Sequence, residues 1–245
     1  MSENRARLVS YGGPRHLPSR RELREEERKR ASSPWTWVKE ITFILVTALV
    51  VSTLLRIFLV QIFWIPSASM KPTLQENDRI AVSRISSWTG NITRGDIVVF
   101  DDVNGWLPQQ EKHWWTSIGE FVGLVPAGSG QTLVKRVIGV GGDTVACCNA
   151  EGQLTVNGSA IREPYLASSS IHQQEDQTFA VTVPKGYVWV MGDNRSNSAD
   201  SRYHFLKGDN PFIPARSVVG KAVAVMWPLN RWTILSGREV FATVP

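Results

Sequence analysis

The sequence predicts a mainly β chain: a single N-terminal transmembrane helix followed by an antiparallel β-rich domain. Three observations predict it. An almost uninterrupted apolar stretch covers residues 35–65, a series of short β-rich runs separated by turn residues follows it, and the excess of basic residues lies ahead of it. The chain has 245 residues, 42% of them apolar and 20% charged, with a formal charge of +5. That length allows one or two globular domains, and the composition excludes both a disordered chain and a polytopic membrane protein.

The first element is a basic tail, residues 1–36. Residues 1–40 carry ten Lys or Arg and six acids; subtracting these from the 27 and 22 of the whole chain leaves 17 and 16, close to balance. The positive charge therefore belongs to the tail and gives no support to a nucleic-acid partner. Glu22–Arg30 reads as either a short solvated helix or a disordered stretch. The second element is a membrane helix over 37–62. At ~1.5 Å per residue, Trp37–Val60 would span roughly 36 Å, enough to cross a bilayer core with some tilt. A long basic preamble distinguishes it from a cleaved signal peptide. The positive-inside rule predicts a cytoplasmic N-terminus, so that 63–245 lies outside the cell membrane, with Trp35, Trp37 and Trp64 at the interfaces.

Beyond Ile65 the period becomes that of strands. Runs at Arg79–Ile85, Asp96–Phe100, Thr132–Val140, Thr144–Cys147, Gln153–Val156, Phe179–Val183, Tyr187–Met191 and Lys221–Trp227 read as β. Turn residues punctuate them, among them Gly141-Gly142-Asp143, Asn157-Gly158 and Pro184-Lys185-Gly186. Residues 101–130 read as a loop or insertion with a short helix, and 167–177 as a polar surface loop. Three segments of this domain carry chemistry.

In the first, Ile65–Leu74, the prolines of Pro66-Ser67-Ala68-Ser69-Met70-Lys71-Pro72 restrict the backbone around two serines. A serine is a weak nucleophile without a base beside it. Four histidines offer themselves poorly: His16 is in the tail, His113 and His172 are in loops, and His204 follows Ser201-Arg202-Tyr203. In the second segment Lys135 interrupts an apolar strand, on the face of Leu133 and Val137, while Arg136 points to the other face. Lysine has a reference pKa near 10.4, so only about 1 in 2,500 is neutral at pH 7; a depression of about two units raises this to roughly 4%, at about 2.7 kcal/mol. Burial supplies such a depression. A lysine that snorkels to the surface would show the same pattern and remain charged. The third segment, Gly192–Arg202, is a polar loop after an apolar strand, in which Asp200 and Arg202 can pair.

PSASMKPTL (66–74) after a membrane span, RGDIVVF (94–100), KRVIGVGGD (135–143) and GDNRSNSADSR (192–202), in that order, resemble the sequence boxes of the bacterial type I signal peptidases. The resemblance covers roughly residues 37–228. It implies that Ser69 is the nucleophile and Lys135 the general base. Ser67 is expected to form the oxyanion hole with the Ser69 N–H, Ser198 to orient the lysine amine, and Asp200 and Arg202 to be a structural pair beside them. Phe63, Ile65, Pro66, Met70, Leu74, Leu133 and Val134 are the residues expected to line the substrate pockets. It further implies a β-rich catalytic domain that removes signal peptides from secretory preproteins after small residues, commonly Ala-X-Ala. No cofactor or metal is implied. The expected partners are signal peptides, the lipid bilayer and the secretion translocon.

Some features depart from that pattern. Ser196 stands where the family often has Asp. Cys147 and Cys148, the two cysteines of the chain, are adjacent and cannot staple distant segments; a vicinal disulfide, an intermolecular bond and two free thiols all remain open. Lys71 is a rival base by proximity, but its Pro-flanked turn predicts an exposed, charged amine. Two other classes of function compete with the first. A self-cleaving Ser/Lys protease of the repressor type would carry a DNA-binding module and no membrane span. A noncatalytic anchored β domain that binds envelope partners would tolerate loss of Ser69 and Lys135.

Overall fold

The computed structural model describes residues 19–31, 34–58, 60–108, 132–166 and 178–245. The tail before Ser19, the expected loop at 167–177 with His172, and most of the expected 101–130 loop, with His113, Trp114 and Trp115, lie outside those residues.

The chain divides into two units, Met1–Ser52 and Thr53–Pro245. In the first, α1 (Arg20–Ala31) realises the helical alternative for the tail. It opens on a capping box: the Glu22 N–H donates to Ser19 Oγ at 3.3 Å and the Ser19 N–H donates to Glu22 Oε2 at 2.6 Å, satisfying two end donors that the helix cannot pair itself. Helix α2 (Pro34–Phe58) starts with proline at its first position, where the missing N–H costs nothing. Its window Trp35–Thr53 is long and apolar enough to cross a membrane by length and composition. The helix ends four residues before the expected boundary at 62. The reason is tertiary: Val60–Trp64 forms strand β1, whose residues pair one by one with β2. Apolar composition continues across this break, so the sequence alone carried no sign of it.

The second unit holds the strands. They are β2 (Arg79–Ser83), β3 (Ile97–Asp101), β4 (Thr132–Val140), β5 (Thr144–Cys147), β6 (Thr155–Val156), β7 (Ser159–Ala160), β8 (Phe179–Thr182), β9 (Tyr187–Met191), β10 (Ile213–Pro214), β11 (Val218–Trp227) and β12 (Thr233–Ile234). Among the described residues they make two sheets. One follows the order β1-β2-β11-β3-β4-β9-β10 with β12 alongside β11; the other follows β7-β6-β5-β8, and every pair is antiparallel. The eight expected runs all contain strand. Those added by the structure are β7, β10 and β12, of two residues each, and β1, which overlaps the end of the expected helix. The helices α3 (Ile85–Trp88) and α4 (Ser201–Lys207) are short, of four and seven residues.

The first sheet is covered on both faces, and β3 shows how. Ile97 and Val99 enter one cluster with Phe63, Ile65, Met70, Leu74 and Ile80, whereas Val98 and Phe100 enter another with Val137, Val190 and Ile213. A third cluster joins Ile138, Trp189 and Met191 to Val145, Val156 and Val181 of the second sheet and to Phe241 and Val244 near the C-terminus. With apolar layers on each side, a strand through the middle reads as a continuous apolar run, as 97–100 does. It also means that both neighbours in a charged pair on β4 are buried. The expectation that Arg136 would face outward is corrected: Arg136 is as buried as Lys135.

Candidate active site

The segment that carries Ser69 is built from β1 outward. The Ile65 N–H bonds the Asp78 carbonyl oxygen and the Asn77 N–H bonds the Ile65 carbonyl oxygen, closing a loop whose apex is a 3₁₀ turn at Ala68–Met70. Met70 and Leu74 plug the apolar cluster below, fixing the turn. Ser69 is 8% exposed, with Ser67 Oγ 3.3 Å from its Oγ on the exposed side.

Lys135 enters from β4, in register with Val98 of β3. Its Nζ lies 2.7 Å from Ser69 Oγ and 3.2 Å from the Val134 carbonyl oxygen. The two residues are 66 positions apart in sequence. Burial is the dominant influence on the amine and lowers its pKa to about 8, against the opposing charges of Asp200 and Asp193. At that value roughly one amine in ten is neutral at pH 7. The snorkelling alternative therefore fails, since the side chain is 3% exposed. Lys71, the rival base, is 40% exposed at its side chain and faces Glu76 at 3.4 Å.

The 192–202 loop closes over this pair. Asp200 caps α4 by accepting the Arg202 N–H, and it receives the Gly192 N–H at 3.0 Å and the Arg202 guanidinium at 2.8 and 3.0 Å. Burial raises the Asp200 carboxyl, but the Arg202 charge and these hydrogen bonds outweigh it and hold the pKa below the usual range. Asp200 is thus a carboxylate whose charge is mostly spent on Arg202. Ser198 differs from expectation. Its Oγ is buried without a hydrogen-bond partner, so the expected bond to the Lys135 amine is not formed. It sits close enough to Asp200 to favour the carboxylate, but without the alignment of a hydrogen bond. Lys135 Nζ is turned instead toward Ser69 Oγ and the Val134 carbonyl. Gly192 is what allows the close packing: a Cβ there would stand 2.5 Å from the Ser69 carbonyl oxygen and would collide with Ser198 Oγ.

Of the residues expected to line pockets, Phe63, Ile65, Met70 and Leu74 are core, at 3, 2, 1 and 0% exposure. Pro66 is exposed, and Leu133 and Val134 are half-buried. A cavity of about 460 Å³ lies elsewhere, between Ala146–Asn149 and Thr178–Ala180, and includes neither Ser69 nor Lys135. Cys147 and Cys148 beside it are joined as a vicinal disulfide, one of the three alternatives for this pair.

Several supporting residues escaped the sequence reading. Arg136 makes a bidentate pair with Asp193 at 2.7 and 2.8 Å, bonds the Gly95 carbonyl oxygen at 2.9 Å and lies over the Tyr165 ring, 3.8 Å from its centre. Thr73 Oγ1 donates to Asp193 at 2.5 Å, tying the Ser69 segment to the same carboxylate. Arg195 pairs with Glu163, which also accepts the Tyr165 hydroxyl at 2.7 Å. Asn194 bonds the carbonyl oxygens of Ala68 and Ser69. A signal was present for Arg136: two adjacent cations inside an apolar run require at least one buried carboxylate partner.

The family model described as signal peptidase, peptidase S26, matches residues 35–227. A signal peptidase I of Mycobacterium tuberculosis is 39% identical over 223 residues, covering 81% of this chain and 75% of that one. A probable signal peptidase I of Mycobacterium leprae is 36% identical over 240 residues, covering 84% and 80%. A solved signal peptidase I from Enterococcus faecalis is similar over 53% of this chain and 95% of its own, at 28% identity and a TM-score of 0.36.

Proposed function

The chain belongs to the signal peptidase family, peptidase S26, and from that membership we propose that it is a membrane-bound serine endopeptidase that removes signal peptides from secretory preproteins after small residues, using Ser69 and Lys135. The observation that carries the mechanism is the 2.7 Å contact between two buried groups, Ser69 Oγ and Lys135 Nζ. A neutral amine at that distance accepts the hydroxyl proton as Oγ attacks the scissile carbonyl carbon. The tetrahedral oxyanion is stabilised by the Ser69 N–H and the Ser67 hydroxyl, an interaction worth about 3 kcal/mol per donor in comparable sites. The ammonium of Lys135 then protonates the leaving amine, which frees the mature chain and leaves the signal peptide as an ester on Ser69. Lys135, neutral again, takes a proton from water as the water attacks that ester, and returns it to Ser69 Oγ.

The anchor is supported by α2, and the cytoplasmic placement of its N-terminus by the basic tail. Lipid contact by the second unit is supported by two cross-strand rows of the first sheet. Ile62, Ala81, Ala224 and Ile234 form one row, and Trp64, Arg79 and Trp227 the next. Ile62, Trp64, Trp227 and Ile234 in these rows are large, apolar and exposed, a combination that marks an interaction surface. Substrate recognition in an extended form is supported along the half-buried Leu133 and Val134, which pair with β3 on one side while the β9 pairing begins only at Arg136.

The test is cleavage of an Ala-X-Ala preprotein by the detergent-solubilised full chain, alongside Ser69→Ala and Lys135→Ala, from pH 6 to 10. Both variants are expected to lose at least about a thousandfold in rate. In the unaltered protein kcat/KM is expected to rise with pH through about 8, since the base works only when deprotonated and burial has lowered its pKa to that region. Full activity in Lys135→Ala would overturn the mechanism.

A further inference from the structure

Asn194 belongs to no pair assigned above, yet it holds the backbone on both sides of Ser69. Its side-chain Nδ2 donates to the Ala68 carbonyl oxygen at 3.1 Å, and its backbone N–H donates to the Ser69 carbonyl oxygen at 3.0 Å. The Ala68 oxygen also accepts the Lys71 N–H at 3.1 Å, so both of its lone pairs are used. The Ala68–Ser69 bond is not among the cis peptides of the chain. In a planar trans peptide the C=O and N–H point in opposite directions. Whatever grips the Ala68 oxygen therefore aims the Ser69 N–H, the backbone donor that the proposed mechanism requires at the oxyanion. Hydrogen bonding at the oxygen also polarises the unit and makes its N–H a better donor.

The amide of Asn194 is itself oriented. Ser196 Oγ donates to Asn194 Oδ1 at 2.9 Å, which leaves Nδ2 facing Ala68. Gly192 keeps the approach open, since a side chain there would strike the Ser69 carbonyl. We propose that Asn194, set by Ser196, is a positioning residue that fixes the Ala68–Ser69 peptide plane and so preorganises the oxyanion hole. The inference rests on the Ser69/Lys135 reading and goes beyond it by assigning an aiming device to one of its donors.

The consequence is specific to the transition state. Asn194→Ala leaves the dyad contact and the buried environment of Lys135 in place but frees the peptide plane. Its kcat is expected to fall roughly tenfold to a hundredfold, less than the loss of a whole oxyanion donor. KM and the pH of the rising limb near 8 should remain unchanged. An Ala-X-Ala peptide aldehyde, which forms a tetrahedral adduct with a serine, should lose affinity by the same factor as kcat/KM. Ser196→Ala, at an exposed position that folding tolerates, should show the same signature at about two- to fivefold. The proposal is overturned if kcat stays within twofold in Asn194→Ala, if the loss is in KM, if the limb moves, or if aldehyde affinity does not follow the rate. Ser69→Ala and Lys135→Ala are run beside them: full activity in Lys135→Ala defeats the parent reading, whereas an inactive dyad variant with fully active Asn194→Ala defeats this inference alone.

Discussion

Lys135 and Arg136 are neighbours on β4, equally buried, and their surroundings do opposite things to a positive charge. The Arg136 pocket supplies a dedicated carboxylate, Asp193, with both oxygens engaged, together with backbone carbonyls and the Tyr165 ring. The Lys135 pocket supplies a hydroxyl and one carbonyl, while the nearby Asp200 is committed to Arg202. Arg136 therefore keeps its charge, and Lys135 is brought toward neutrality. Burial alone does not make a base; burial without a paired carboxylate does.

The largest effect that would break this contrast is on activity. Lys135→Met should abolish cleavage by a thousandfold or more while leaving thermal stability unchanged or higher, because a lowered amine pKa means that the charged form is disfavoured in the fold. A melting curve beside a cleavage assay reads both. Next in size, Arg136→Met should destabilise by about 3–5 kcal/mol, since it strands the Asp193 carboxylate in the core. Denaturant titration measures it; a loss below 1 kcal/mol would show that the two pockets are alike. The contrast is sharpened by Arg202→Met. With Asp200 released, its negative charge favours the protonated amine, so the Lys135 pKa rises and the activity limb moves to higher pH by up to about one unit; a limb that moves down, or not at all, contradicts the account. The smallest effect is expected at His204, which stacks on Trp106 at 4.2 Å and meets Asp209 rather than the dyad. His204→Ala should retain most of the activity, and a loss matching that of Lys135→Met would point to a Ser/His mechanism instead.

Elements with local signals were legible. The Asn157-Gly158 turn is one: both residues have positive φ, at 53° and 80°, as a tight hairpin of this kind requires, and they join β6 to β7. The apolar helix and the β4 run were equally clear, because their patterns are continuous over many residues. Helix α4 was not, since seven residues are too few to show a period, although its Asp200 cap and the left-handed Gly208 that ends it stand in plain view. The end of α2 was hidden by unchanged composition. Ser69 and Lys135 were singled out by motif resemblance and lie together in the fold, whereas the bond expected from Ser198 to the lysine amine is not formed.

By itself the sequence determined the elements that depend on nearest neighbours: an apolar helix behind a basic tail, strands between turns, and the order of four motifs that identify a peptidase. The tertiary structure decided what those residues are chemically. Only the fold brings the Ser69 hydroxyl and the Lys135 amine, 66 residues apart in the chain, to 2.7 Å in a buried place. The energy of a charge depends on the dielectric and the partners around it, which are properties of the folded space and not of the order of residues along the chain.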